Sequence, residues 1–594
     1  MNISERLSML RTAMHQKKID AYLITSSDFH QSEYIGEHFK TRAFMTGFTG
    51  SAGIAVITRK QAGLWTDGRY FIQAETELQG TGIELYKSGN PGVKSVEEFL
   101  EEFLPQNGTL GFDGRCISAA KVLELKKRLQ HRGIRFEAQF DLVDSIWENR
   151  PSLSTELVYF LEEAYSGETL ASKLARLRTE MRSHGATMHL LTSLEDIAWL
   201  FNIRGKDVLF TPVVLSYAVI TLEEVHLFID SNKLSESILN VFQDEHVKFH
   251  PYHVIYEFVE HLPENEVILL DTNKVNFSLY ETIPSSTTQI HACNPTVLFK
   301  AIKNETEISN LKQAYLKDGI AHTKFLYWLK KNYHTNTLTE IGVSQKLEEL
   351  RAEHVNFIGP SFAPISAYGT NAAMCHYSAT AKSNATLKEG ALFLADTGGH
   401  YLEGSTDITR TVALGEVSDT LKTQYTQVLR GNLALANIKF LHGCTGENLD
   451  ILARQYLWNC GLDYKHGTGH GIGYLLSIHE GPCNIKWQYR NQPVALEAGM
   501  ILSDEPGVYI EGSHGIRLEN ILLVCNDIQN EYGQFMHFET LTLVPFDLDA
   551  IDGTLLNEHE KILLNQYHQT VYDKIAPYLS EDEQAWLKQA TRAI

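Results

Sequence analysis

The sequence lacks any unbroken run of about 18 apolar residues, so it offers no candidate for a membrane-spanning helix. Its N-terminus also lacks the apolar stretch of a secretory leader: Ile3, Leu7, Leu10 and Met14 come at helical spacing among charged residues. Cysteine is scarce and unpatterned. Seven residues with no Cys-x-x-Cys pair speak against a disulfide framework or a zinc ribbon and for a reducing compartment, the cytoplasm. Positive charge is in deficit. With 52 Lys and Arg against 73 Asp and Glu, the net charge of -21 opposes binding to nucleic acid or to an anionic membrane and leaves small molecules or peptides as partners. No low-complexity tract interrupts a composition of 43% hydrophobic and 21% charged residues. At roughly 150 residues per domain, this length needs several cores.

What is present begins with a repeat. Ile3, Leu7, Leu10 and Met14 return as Leu170, Leu174, Leu177 and Met181, and Leu23 to Ser26 returns as Leu190 to Ser193, all at an offset of 167. Ala55 to Thr58, Leu64-Trp65 and Asp67 then return as Ala218 to Thr221, Leu227-Phe228 and Asp230 at an offset of 163. The pattern predicts two related α/β domains in tandem. Each has an amphipathic helix, a buried strand, and a strand pair joined by a polar turn such as Arg59-Lys60-Gln61. After the shared aspartate the copies diverge: Gly68-Arg69-Tyr70 in the first, Ser231-Asn232-Lys233 in the second. Taken alone, Arg69 reads as a residue of a solvated turn. Punctuation at Arg150-Pro151 and a new helix signal at Asn304 divide the chain into 1–151, 152–303, 304–540 and a C-terminal extension, 541–594.

The third segment carries the chemistry. Asp396 ends one predicted strand, Ala391 to Ala395, and Asp407 begins the next, Ile408 to Leu414, so a hairpin turning through His400 to Ser405 sets them face to face. Glu505 precedes the turn signal Pro506-Gly507. Glu519 falls in an alternating strand predicted from Ile516 to Val524, with Arg517 on the same face to orient a ligand carboxylate. Two Asp and two Glu in one pocket are not tolerated without protons or cations. Two divalent ions about 3.5 to 4 Å apart would cancel that charge, activate a water and polarise a carbonyl, so hydrolysis of an acyl bond is the natural chemistry. His470, in the run His466-Gly-Thr-Gly-His470, is the nitrogen ligand available to the acidic set. His376 and His479 are candidates to donate to a substrate carbonyl or shuttle a proton, although single histidines of this kind are more often structural.

In order and spacing, Asp396, Asp407, His470, Glu505 and Glu519 resemble the five-ligand set of the pita-bread metallopeptidases. The resemblance is greatest to the long, three-domain cytosolic aminopeptidase P branch of that family. Gly47 to Gly53, Trp65 to Tyr70, Ala198 to Gly205 and Leu541 to Pro545 are similar to its signatures, so the likeness spans the chain. It implies an α/β architecture of two creatinase-N-like domains followed by a pita-bread catalytic domain and a helical extension. It also implies hydrolysis of the N-terminal Xaa-Pro bond. In that family Asp396 would chelate one metal, His470 and Glu505 would serve the other, and Asp407 and Glu519 would bridge them, with a hydroxide between the ions as nucleophile. Glu505 would act as general base. His376 and His479 are similar to its substrate-contacting and oxyanion-stabilising histidines, His466 to a pocket histidine, and Arg69 to the arginine that the first domain lends to the peptide. The family's metal is usually manganese, with zinc or cobalt as options, and the long form is a homodimer.

An Xaa-Pro bond is a tertiary amide without an N–H, so proteases that read extended, hydrogen-bonded strands handle it poorly, and a shaped pocket must replace that bond. Phe362, Tyr368 and Tyr509 are candidates for its wall and Arg517 for its edge, though aromatics near glycine-rich loops are more often core. In the extension, Leu564, Tyr567, Val571 and Ile575 at helical spacing and a capping box at Ser580/Glu583 predict packed helices. Two alternatives stay open: an Xaa-Pro dipeptidase using the same metals, and a non-catalytic pita-bread binding module.

Overall fold

In the computed structural model the repeated apolar positions become two helices of 14 residues, Ile3–Gln16 and Leu170–Ser183, with Leu7, Leu10 and Met14 buried in one and Leu170, Leu174, Leu177 and Met181 in the other. The structure describes residues 1–243, 245–335, 337–489 and 493–594. It separates into two units, Met1–Glu162 with Glu168–Val297, and Glu163–Gly167 with Leu298–Ile594.

The first unit holds both copies of the repeat. One sheet orders its strands Glu84–Lys87, Ala62–Thr66, Ile54–Thr58, Ala21–Ile24, Thr109–Gly111 and Arg135–Glu137. The other runs Val247–His250, Val225–Ile229, Ser216–Thr221, Met188–Leu191, Val267–Leu270 and Thr288–His291. Each has one strand antiparallel to both neighbours, Ile54–Thr58 and Ser216–Thr221, in an otherwise parallel arrangement. Ala21–Ile24 and Met188–Leu191 are buried at every position, as strands covered on both faces require. The polar turn Arg59-Lys60-Gln61 joins the predicted hairpin, with Thr58 N donating to Gln61 O at 2.9 Å.

In the second unit, helix Glu305–Asn332 opens on a capping box formed by Asn304 and Glu307, and helix Glu340–Ala352 follows. Strands Ile365–Tyr368, Ala391–Thr397 and Ile408–Leu414 form an antiparallel sheet in which Asp396 lies opposite Thr409. A six-stranded sheet orders Lys439–Leu441, Gly533–Thr540, Asn520–Asn530, Ile501–Asp504, Gly469–Ile472 and His479–Ile485. The predicted turn from His400 to Ser405 contains short strands of its own, Gly399–Tyr401 and Gly404–Ser405. Helix Glu558–Ile575 buries Leu564, Val571 and Ile575, and helix Glu581–Ala590 starts at the expected capping box.

One expectation is corrected. The strand predicted from Ile516 to Val524 is two strands, His514–Arg517 and Asn520–Asn530. At the break, Leu518 N donates to Pro506 O at 3.3 Å and Glu519 N to Thr409 O at 3.1 Å. The backbone changes hydrogen-bonding partners there, which continuous alternation in the sequence does not reveal.

Candidate metal centre

Three strand ends and one interruption between strands converge in the second unit. Asp396 is the penultimate residue of its strand, Asp407 immediately precedes the strand it faces, Glu505 immediately follows Ile501–Asp504, and Glu519 occupies the break just described. His470 lies within strand Gly469–Ile472. Its neighbours are glycines for a steric reason: a Cβ on Gly469 would stand 1.9 Å from Ser503 O. Gly398 permits a similar approach in the hairpin, where a Cβ would meet Thr406 O at 1.9 Å.

Ligand atoms of Asp407, His470 and Glu519 all lie within 4.8 Å of one another. His470 Nε2 is 3.7 Å from Asp407 Oδ2 and 3.4 Å from Glu505 Oε1. The imidazole uses Nδ1 on the Gly471 carbonyl at 3.0 Å, an arrangement that aims the Nε2 lone pair at the acids. Asp396 joins through Arg517, whose Nη2 donates to Asp396 Oδ2 at 2.5 Å. This refines the sequence reading, because the carboxylate Arg517 grips is Asp396, while Glu519 is reached through Thr409. The Thr409 hydroxyl donates to Glu519 Oε2 at 2.9 Å and accepts from Arg517 Nε at 3.3 Å.

The electrostatics follow from burial and crowding. Burial pushes the Asp407 carboxyl well above the usual carboxylate range, and Glu519, Asp396 and Glu505 push it further. Burial likewise raises Glu519, with Glu505 and Asp396 adding to the effect against Thr409 and Arg517. Arg517 stays charged: burial disfavours the cation, but Tyr509, Asp396 and Glu505 hold its pKa well above normal. One guanidinium does not balance four carboxyls, and the buried Asp396 Oδ1 has no hydrogen-bond partner. Hard oxygen donors, one imidazole and an uncompensated oxygen fit a pair of divalent cations.

The remaining predicted residues fall in distinct places. His479 packs its ring edge-on against His470, centroids 4.3 Å apart. His466 shares Tyr509 with Arg517: Tyr509 Oη lies 2.9 Å from His466 Nε2 and accepts from Arg517 Nη1 at 2.6 Å. His376 is half-buried in a turn whose preceding residue, Cys375, offers its carbonyl to Arg517 Nη2 at 3.4 Å. Tyr368 commits its hydroxyl to Lys388 O at 3.2 Å, and Phe362 is buried. Arg69 belongs to the first unit, where Nε and Nη2 both bond Asp67 at 2.8 Å.

Sequence reasoning passed over several residues of the centre. Thr409 is one. Ser503 takes the His470 amide at 3.0 Å and donates to Glu505 Oε1 at 3.3 Å. Arg410, fully buried, donates to Glu519 O at 2.5 Å and Asn520 Oδ1 at 2.8 Å, and also to Val544 O and Tyr567 of the C-terminal segment. Its available signal was position: Arg410 lies three residues after Asp407 in a strand that is otherwise uncharged.

Comparison with known proteins supplies the context. The domain family described as metallopeptidase family M24 matches residues 309–526, and the C-terminal region of that peptidase matches 534–594. The creatinase/prolidase N-terminal domain matches twice, at 6–146 and 149–307. A Laccaria bicolor protein named probable Xaa-Pro aminopeptidase P is 38% identical over 99% of this chain and 93% of its own. The crystal structure of X-prolyl aminopeptidase from Caenorhabditis elegans, described as a cytosolic enzyme with a dinuclear active site, superposes with a TM-score of 0.95 at 33% identity, covering 100% of both chains. An Xaa-Pro dipeptidase from Bacillus anthracis, 26% identical with a TM-score of 0.52, covers 64% of this chain and 99% of its own.

Proposed function

The chain belongs to metallopeptidase family M24, and from that membership we propose that it is an Xaa-Pro aminopeptidase, a metal-dependent hydrolase that removes the N-terminal residue from peptides with proline second. The observation that carries this reading is the meeting of Asp407, His470 and Glu519 within 4.8 Å, with Glu505 3.4 Å from the same imidazole nitrogen. Likeness over the full length to aminopeptidase P, against 64% coverage by the dipeptidase, favours the aminopeptidase over its rival.

Asp396, Asp407, His470, Glu505 and Glu519 would hold two divalent ions, and manganese suits so oxygen-rich a set. Bound there, the metals would supply Lewis acidity toward the scissile carbonyl and lower the pKa of a water. Glu505, whose carboxylate accepts from the Ser503 hydroxyl, would take the proton. Arg517 would orient Asp396 through its charge-assisted hydrogen bond. His479, against His470, and His376 are assigned to the substrate carbonyl and the developing oxyanion. His466, Tyr509 and Arg517 form a hydrogen-bonded edge for the peptide, and the family resemblance adds Arg69 as a substrate contact.

Among the described residues no helix is long and apolar enough to cross a membrane. The likeness to the cytosolic worm enzyme supports a cytoplasmic site of action, and resemblance to the long form supports a homodimer. The deciding assay compares Xaa-Pro-Yaa with Xaa-Pro after manganese reconstitution. Turnover of the tripeptide supports the proposal. Turnover restricted to the dipeptide would make the protein a dipeptidase, and failure to retain metal would remove it from catalysis.

A further inference from the structure

His376 sits in a loop with little regular structure: a 3-10 turn over Gly369–Ala373, then turns and irregular chain until the strand at Ala391. What holds the loop comes from elsewhere. Glu340, the first residue of helix Glu340–Ala352, is fully buried, and four donor groups from residues 368 to 385 converge on its carboxylate. Tyr368 N at 2.7 Å and Asn371 Nδ2 at 3.0 Å donate to Oε1. The Tyr377 hydroxyl and Ala385 N, each at 2.8 Å, donate to Oε2. The backbone adds a clamp: Glu340 N donates to Ala385 O at 3.1 Å, and the Ser366 hydroxyl to Glu340 O at 2.7 Å.

The helix start does not require this acid, because Thr339 already caps it with its hydroxyl on Gly342 N at 3.3 Å. Instead, the carboxylate brings together both ends of the His376 loop. Tyr377, directly after His376, is held by Glu340; Cys375, directly before it, is held by the guanidinium that also grips Asp396. The histidine is thus fixed on one side by Glu340 and on the other by the candidate centre.

We propose that Glu340 is a positioning residue of the peptidase: by gathering the 368–385 loop around one buried carboxylate, it sets where His376 presents its imidazole to the substrate. The inference rests on the reading of His376 as a substrate contact. Replacing one acceptor oxygen by an amide NH2 leaves donors facing a donor, so Glu340→Gln loosens the loop without changing side-chain size.

The test is a double-variant cycle in the manganese-loaded full chain. Glu340→Gln should lower kcat/KM on an Xaa-Pro-Yaa peptide by roughly tenfold, as loss of a supporting contact does. It should keep its manganese and raise amide hydrogen exchange over 369–385 but not over 391–414. Added to His376→Ala, it should cost nothing further, because both changes disable one device. A full additional loss in the double variant, or manganese lost from Glu340→Gln alone, would overturn the proposal. If His376→Ala alone turns over like the parent, the histidine's role falls and the positioning role falls with it, an outcome read from that single variant. Should Glu340→Gln fail to fold, Tyr377→Phe removes one donor without stranding a charge. It must then show a smaller loss with the same non-additivity, and an additive loss there overturns the proposal equally.

Discussion

Two buried sites, one in each unit, treat charge in opposite ways. In the first, the chain neutralises it from within: Lys233 Nζ bonds Asp207 Oδ2 with side chains 2% and 1% exposed, and Arg42 spends its guanidinium on the carbonyls of Phe48 and Gly50. In the second, carboxylates converge around Asp407 and Glu519 until burial and mutual repulsion raise both acids, and the Arg517 guanidinium pairs only with Asp396 among them. The first solution is closed and serves stability. The second requires cations from outside, and that requirement marks the centre.

The contrast also appears within the repeat. At the turn after the shared aspartate, the first copy offers Arg69, partly exposed and paired with Asp67 beside a cleft of about 630 Å³ lined by Ser26, Ser51 and Trp65. The second copy carries Lys233, committed to its buried partner. Shared topology therefore does not bring shared roles.

The sharpest way to break the comparison is to remove an acid that a cation should need. Asp407→Ala should lower turnover by at least about a thousandfold and abolish retention of two metals, while the first unit keeps its unfolding transition. Metal analysis and activity together check this, and wild-type turnover would end the ligand assignment. Next in size is the closed pair. Lys233→Ala strands Asp207 and should destabilise the first unit by about 3 to 5 kcal/mol, measured by denaturant unfolding, with metal stoichiometry intact.

The pH response should differ in sign from that of an ordinary paired carboxylate. Asp407 and Glu519 have folded pKa values above their unfolded ones, so the metal-free fold holds protons that the unfolded chain releases. Their contribution to stability is present in acid and is lost as pH rises through the folded pKa. Manganese competes with those protons, so the Tm gain on adding it should be larger at about pH 8 than at about pH 6. A pH-independent gain would contradict the crowding argument. The smallest effect is expected at Arg69. Arg69→Ala should raise KM about fivefold with kcat unchanged, what a partly exposed charge contact of up to about 1 kcal/mol delivers. An unchanged KM would return this arginine to its local pairing with Asp67.

Much of this was legible beforehand. The duplicated helices, the buried strands and the C-terminal capping box follow from apolar spacing and local signals, since each depends on residues a few positions apart. The five candidate donors could be named together from the sequence because carboxylates gathered near one imidazole call for cations. The break at Glu519 was not, nor were Thr409, Ser503 and Arg410 around the centre, because each is defined by a partner distant in the chain: Thr409 is 110 residues from the carboxylate it supports. Glu340 makes the same point, reading in sequence as an ordinary acidic residue at a helix start. Sequence determined which groups the protein can bring to chemistry and which elements carry them. Tertiary structure alone decided which carboxylate meets a guanidinium, which meets a threonine and which is left needing a cation, because those pairings are settled when separate strands close on one another and exclude water.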